Sequence, residues 1–166
     1  MCVIVDTNCC HKVLRSPCSK EYEPVFEWIW SGDGKLIYGG KLEKEMRLDS
    51  KTKRLLIQWS RAGKAIKYRK EDMADEEKRI HGSGLMKSND PHVLALAVVS
   101  KTRTLCTDDK NLWSDFTNKS LVPMKDCCVY RDAKDRPALK HTTGCKGYVS
   151  DYQKKKIKQK TEKKKN

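Results

Sequence analysis

No part of this 166-residue chain stays apolar for the roughly 20 consecutive residues a membrane-spanning helix needs, so no span is expected. A secretory leader is not expected either. The apolar start is a few residues long, has no basic segment before it, and runs straight into Asp6. No Gly-x-x-x-x-Gly-Lys-Ser/Thr occurs, which argues against a P-loop NTPase. None of the eight cysteines falls in Cys-x-x-Cys spacing. Cys9-Cys10-His11 and Cys127-Cys128 look metal-like but lack the offset that sets two thiolates on one zinc ion. Without a leader, free thiols in a cytoplasmic protein are the expectation. Internal repeats are lacking too, and the basic residues are not concentrated on one helix as a DNA-recognition helix would require.

What the chain has in excess is positive charge. Lysine and arginine number 36 against 22 acids, a formal net charge of +14 that suits a polyanionic partner. Residues 154–166 hold eight lysines and one glutamate, which leaves +7 on the rest of the chain. The body is therefore basic without its tail. The length allows one domain with a substantial core. The expected division is a domain over 1–130, a polar extension over 131–153, where Gly144-Cys145-Lys146-Gly147 interrupts, and a Lys-rich disordered tail over 154–166.

Within the body, short apolar runs alternate with helical patterns. Cys2-Val3-Ile4-Val5 is continuously apolar and largely β-branched, as a central parallel strand covered on both faces would be. Further strands are expected over 35–38, 64–68, 104–106 and 127–130. Ala65 and Lys67 should oppose Ile66 and Tyr68. Helices are expected over 8–14, 22–31, from Lys41 to Gly63, over 71–80, after Asp90 and after Asp109. Val25, Phe26, Ile29 and Trp30 should form an apolar stripe, and His81-Gly82-Ser83-Gly84 a mobile loop. This alternation predicts an α/β fold, a three-layer α/β/α sandwich with a central parallel sheet.

Acids recur where these strands end. Asp6-Thr7-Asn8 closes the first run, and Thr107-Asp108-Asp109 closes Thr104-Leu105-Cys106. Gly39-Gly40 leads from Tyr38 into a helix bearing Glu43 and Glu45, and Asp90-Pro91 opens Val93 to Val99. Ligands of open α/β sheets gather outside the carboxyl ends of the strands, and clustered carboxylates there suit hard divalent ions such as Mg²⁺ or Mn²⁺. Each acid also has a plainer role. Asp6 could simply end its strand, Asp90 is a good N-cap before Pro91, Asp108 or Asp109 could cap the next helix, and a Glu on an exposed helix is common. Asn8, Thr7 and Thr107 are secondary candidates, as orienting groups or turn caps. His92 is expected on a solvent-facing helix position, and His11, His81 and His141 have no recognisable partner. Lys12, Lys41, Lys44, Arg47, Lys87 and Lys110 lie within a few residues of the acids, where phosphate contacts would fall.

Taken in order, Val5-Asp6-Thr7-Asn8, Asp90-Pro91-His92-Val93-Leu94-Ala95 and Leu105-Cys106-Thr107-Asp108-Asp109 resemble the PIN-domain nucleases, including the VapC-type toxins, over residues 1–130. The resemblance implies Asp6, Glu45, Asp90 and Asp109 as catalytic, metal-binding acids, with Glu43 and Asp108 as the competing positions. Asn111 stands where some relatives carry one more acid. It further implies a metal-dependent endoribonuclease acting on single-stranded RNA, set in a toxin–antitoxin, defence or RNA-maturation role. An inhibitory protein partner and a homodimer would accompany such a role. The rival readings are a non-catalytic PIN-like RNA-binding module and a DNA-directed metal nuclease. An aspartyl phosphotransferase would want a second acid where Asn8 stands.

Overall fold

The computed structural model describes residues 2–139; the readings made beyond 139 lie outside the described residues. Five strands, β1 (Cys2–Val5), β2 (Lys35–Gly39), β3 (Ala65–Tyr68), β4 (Thr104–Cys106) and β5 (Cys128–Tyr130), form one sheet in the order β3-β2-β1-β4-β5. Every pairing is parallel. Helices α1 (Thr7–Val13), α2 (Glu23–Trp30), α3 (Gly40–Met46), α4 (Ser50–Arg61), α5 (Lys70–Gly82), α6 (Pro91–Ser100) and α7 (Lys110–Thr117) flank it, with a 3₁₀ helix over Ala133–Leu139. The expected α/β sandwich with a central parallel sheet is present.

β1 is central because its sequence suits no other place. Val3, Ile4 and Val5 are wholly buried, and Val3 pairs with Leu36 of β2 on one side and Thr104 of β4 on the other. Each such side chain contributes about 1.5–3 kcal/mol by leaving water. α6 is as apolar as a strand. All its residues from His92 to Ala97 are buried, so it has almost no solvent face.

Several expectations are corrected. Trp30 is 42% exposed, because only Val25 and Ile29, one turn apart, face the core; Phe26 sits at the stripe's edge against Trp59. The long helix expected from Lys41 to Gly63 is two helices. α3 stops at Met46, and Asp49 restarts the chain by accepting from the amide and hydroxyl of Thr52. His81 and Gly82 continue α5, so the expected loop shrinks to its Ser83-Gly84 end. β3 does not alternate cleanly, since Ala65 and Tyr68 are buried and Lys67 is exposed at the sheet edge. Residues 131–139, expected to lack a core face, contribute buried Leu139, and Arg131 lies 4.2 Å over the Trp113 ring. Cys2 is disulfide-bonded, so the free-thiol expectation holds for the six other cysteines among the described residues. No helix among these residues is long and apolar enough to cross a membrane.

Candidate functional site

The strand order sets the location. From β1 the chain winds outward through β2 to β3, then returns to β4 and β5 on the other side of β1. The winding therefore reverses between β1 and β4, and the crevice outside their carboxyl ends is the place where such sheets bind ligands. Asp6 leaves β1 there, and its amide extends the ladder by donating to the Cys106 carbonyl at 2.9 Å. Thr107 leaves β4 beside it.

The Thr107 hydroxyl ties the two strand ends together. It donates to Asp6 Oδ2 at 2.9 Å and accepts from the Asp109 amide at 3.1 Å and from Asn8 Nδ2 at 3.3 Å. Asp6 Oδ1 accepts from the Thr7 amide at 2.7 Å and more distantly from the Thr7 hydroxyl at 3.4 Å. Asp6 is only 5% exposed, and burial raises its pKa above the ordinary carboxylate value. The bonds from Thr107 and Thr7 oppose that rise, whereas Asp90 adds to it and His92 lowers it. Asp90 and His92 thus act electrostatically on Asp6 although some 85 residues separate them in sequence.

The other acids divide by what holds them. Asp109 caps α7, its Oδ1 accepting from the Asn111 amide at 2.7 Å and the Leu112 amide at 3.3 Å. Asp90 precedes α6 but makes no side-chain capping bond. Its ψ of 55° departs from the extended backbone that turns a cap side chain toward the following amides. On α3, Glu43 is held by Arg47 at 2.9 Å and Lys67 at 2.8 Å, whereas Glu45 faces Lys41 and His92, each at 3.6 Å. Asp108 pairs with Lys12 and accepts from the Tyr22 hydroxyl at 3.1 Å, and these partners hold its pKa down against the effect of burial.

His92 is not on a solvent-facing position. It is 3% exposed because α6 is buried on nearly every face. Both ring nitrogens lack a hydrogen-bond partner, since 3.6 Å to Glu45 is beyond hydrogen-bond length. Asp115, which drew no attention in the sequence, is 1% exposed and accepts from the amides of Lys87 and Ser88 and from the Ser88 hydroxyl at 2.8–3.0 Å. It fastens α7 to the segment entering Asp90. Its signal was a helical spacing: Leu112, Asp115 and Phe116 share the buried face of α7.

Of the basic candidates, Lys12, Lys41 and Arg47 are engaged by Asp108, Glu45 and Glu43, and the Lys87 ammonium donates to Ser114 Oγ at 3.1 Å. Lys44 and Lys110 are exposed beside the acids. A cleft of about 460 Å³ is lined by Lys41, by Glu77 and His81 of α5, and by Asn89, Pro91 and His92, which flank Asp90 in sequence.

Among the described residues no three His, Cys, Asp or Glu side chains form a ready metal cage. Cys9 and Cys10 are both buried, and burial pushes the Cys9 thiol up to about 11, which suits neither a thiolate nor zinc. Asp6 and Asp90 are hard oxygen donors of the type that Mg²⁺ or Mn²⁺ takes. These ions keep several waters and need only one or two carboxylates, and a cation would relieve the charge that Asp90 imposes on buried Asp6. No family model, curated protein or solved structure matches the chain.

Proposed function

We propose that the protein is a PIN-like, metal-dependent endoribonuclease that cleaves phosphodiester bonds in single-stranded RNA. The observation that carries this reading is the buried Asp6 carboxylate at the sheet's reversal point, subject to the charge of Asp90 and fixed by Thr107. A buried carboxylate subject to a second acid's charge is unfavourable for stability alone, so its presence at a ligand-binding crevice supports a site. The order of acids along the chain resembles that of the PIN-domain nucleases, and the basic surface suits RNA.

Asp6 and Asp90 would hold Mg²⁺ or Mn²⁺, with Glu45 and Asp109 acting directly or through water. Bound there, the ion supplies charge neutralisation at the phosphate and a water of lowered pKa. The chain's residues do the rest. Thr107 fixes the orientation of Asp6 and the entry to Asp109. Asp115 fixes the segment leading to Asp90. Lys44 and Lys110 offer phosphate contacts, and no histidine is required as a base.

Asn111, standing where some PIN-domain relatives carry one more acid, favours a second reading, a PIN-like module that binds RNA without cutting it. Labelled single-stranded RNA and DNA incubated with Mn²⁺, Mg²⁺ or EDTA, wild type beside Asp6→Asn, separates the two. Metal-dependent RNA cleavage lost in the variant is expected. Cleavage of DNA alone would replace the substrate, and RNA binding without cleavage under every metal would favour the module.

A further inference from the structure

We infer that the cleft beside Asp90 is a base-recognition subsite that takes guanine from the RNA strand, with Glu77 accepting hydrogen bonds from its Watson–Crick edge. The inference rests on the reading that single-stranded RNA is the ligand, and it concerns how the strand is selected.

Position and size are the first grounds. About 460 Å³ lies within the range of roughly 300–1,000 Å³ typical of small-molecule pockets. Asn89, Pro91 and His92 of its lining surround Asp90 in sequence, and Lys41 of its rim pairs with Glu45. A base seated here would belong to a nucleotide next to the phosphate at the acids.

Unused polar groups are the second ground. His92 lines the cleft, is 3% exposed, and leaves both ring nitrogens without a hydrogen-bond partner, Glu45 standing 3.6 Å from Nε2. Such a group is costly to bury unless something satisfies it. Glu77 also lacks a hydrogen bond or ion pair among the described residues. Among the acids of α5, Asp72 is paired with Arg69 and Glu76 with Arg79, whereas Glu71, Asp75 and Glu77 have no such partner among the described residues, and of these three Glu77 is the one that lines the cleft. Glu77 and His81 stand one turn apart on α5 and so share a face.

The chemistry selects the base. An ionised carboxylate has only acceptors. Guanine presents two adjacent donors on its Watson–Crick edge, the ring N1–H and the exocyclic amine, which match the two carboxylate oxygens. Adenine and cytosine present one amine beside an acceptor, and uracil one imino group between two acceptors. Single-stranded RNA is read on that edge, with the base face laid on flat or apolar side chains. The His81 ring, Pro91 and Met86 supply such surfaces here.

The test is binding by the full chain carrying Asp6→Asn, which removes the acid proposed for cleavage. Fluorescence anisotropy would follow labelled uridine hexamers with one central G, A or C, and the all-U hexamer. The G hexamer is expected to bind about tenfold tighter than the others, the size of one bidentate base contact. Glu77→Gln and Glu77→Ala, on a partly exposed helix position, should fold normally by thermal melting and lose that preference. Equal binding of all four, preference for another base, a G preference that survives both substitutions, or no binding of any hexamer would each overturn the inference. Parallel incubation of wild type with the hexamers separates the two levels. G-selective binding without cleavage would sink the nuclease reading and leave the subsite standing.

Discussion

Asp6→Asn should raise the thermal stability of the protein while removing its cleavage activity. The side chain keeps its shape, so what changes is charge. Two opposing effects decide the sign. The carboxylate accepts from the Thr7 amide at 2.7 Å and the Thr107 hydroxyl at 2.9 Å, and bonds to a charged group stabilise by about 1.5–3 kcal/mol each. Against them stand the removal of a 5%-exposed carboxylate from water, which costs several kcal/mol in effective terms, and the like charge of Asp90. The raised pKa says that the second set is larger. Asparagine retains one acceptor oxygen for the Thr7 amide and loses the desolvation and the repulsion. Its new amide faces the Thr107 hydroxyl, which can rotate to accept, as the backbone amides around Asp115 cannot. The net gain is then on the order of 1 kcal/mol, or about 2–4 °C in Tm for a chain of this size.

The pH dependence follows with a definite sign. Asp6 binds its proton more readily folded than unfolded, so its cost is present at neutral pH and is relieved as pH falls through its folded pKa. The Tm difference between variant and wild type should therefore be largest near pH 7.5 and shrink toward pH 4. Asp49 and Asp108, whose pKa values are lowered, lose stability over the acid range, but both proteins share them and the difference cancels their effect. Melts in EDTA by circular dichroism measure this directly. Mn²⁺ added to wild type should close the gap, because an ion that binds only the folded state stabilises it. A variant that melts at or below wild type in EDTA at pH 7.5 would refute the reasoning, since the hydrogen bonds would then outweigh burial.

Three further substitutions probe the scaffold. Gly39→Ala would set a Cβ 2.1 Å from the Tyr68 carbonyl oxygen, against backbone locked in register with residue 39, and should cost about 3 kcal/mol; a Tm within 2 °C of wild type, roughly the effect of 1 kcal/mol or less, would contradict this. Asp115→Asn replaces an acceptor of three donor groups by a side chain that itself donates toward Lys87 and Ser88, for a loss of about 2–3 kcal/mol in urea unfolding and slower cleavage through Asp90; an unchanged urea midpoint would show the anchor to be idle. His92→Phe relieves two buried nitrogens that have no hydrogen-bond partner but gives up the 3.6 Å contact with Glu45, so stability should stay within about 1 kcal/mol of wild type, and a loss of about 3 kcal/mol would mean the imidazole is bonded after all.

Much of the fold was legible because its signals are local. The β-branched run Cys2–Val5 and the polar break at Asp6 name a central strand and its end without reference to anything distant. The order β3-β2-β1-β4-β5 is not local, and neither is the point where the winding reverses. Asp49 was missed for a different reason. Its cap over Thr52 sits inside a stretch whose composition is helical on both sides, so only the backbone turn after Met46 marks the break.

For the acids, the sequence offers positions and the fold chooses among them. Glu43 and Glu45 lie two residues apart on a helix, about 200° around its axis, so at most one can face α6. Which one depends on how α3 docks, and the docking turns Glu43 to Arg47 and Lys67 and Glu45 to His92. Asp90 before proline has every mark of an N-cap, yet its backbone angles leave the carboxylate free of that duty. His92 could have been placed by a stricter reading of its own helix. A segment apolar on every side offers an early-turn histidine no water to face, so burial was the only position open to it. The same logic finds Asp115 between Leu112 and Phe116, a carboxylate on an apolar face that must be bonded within the fold. Polar residues standing where the helical period calls for apolar ones thus point to the segments a domain must hold still. Here both converge on the turn that carries Asp90.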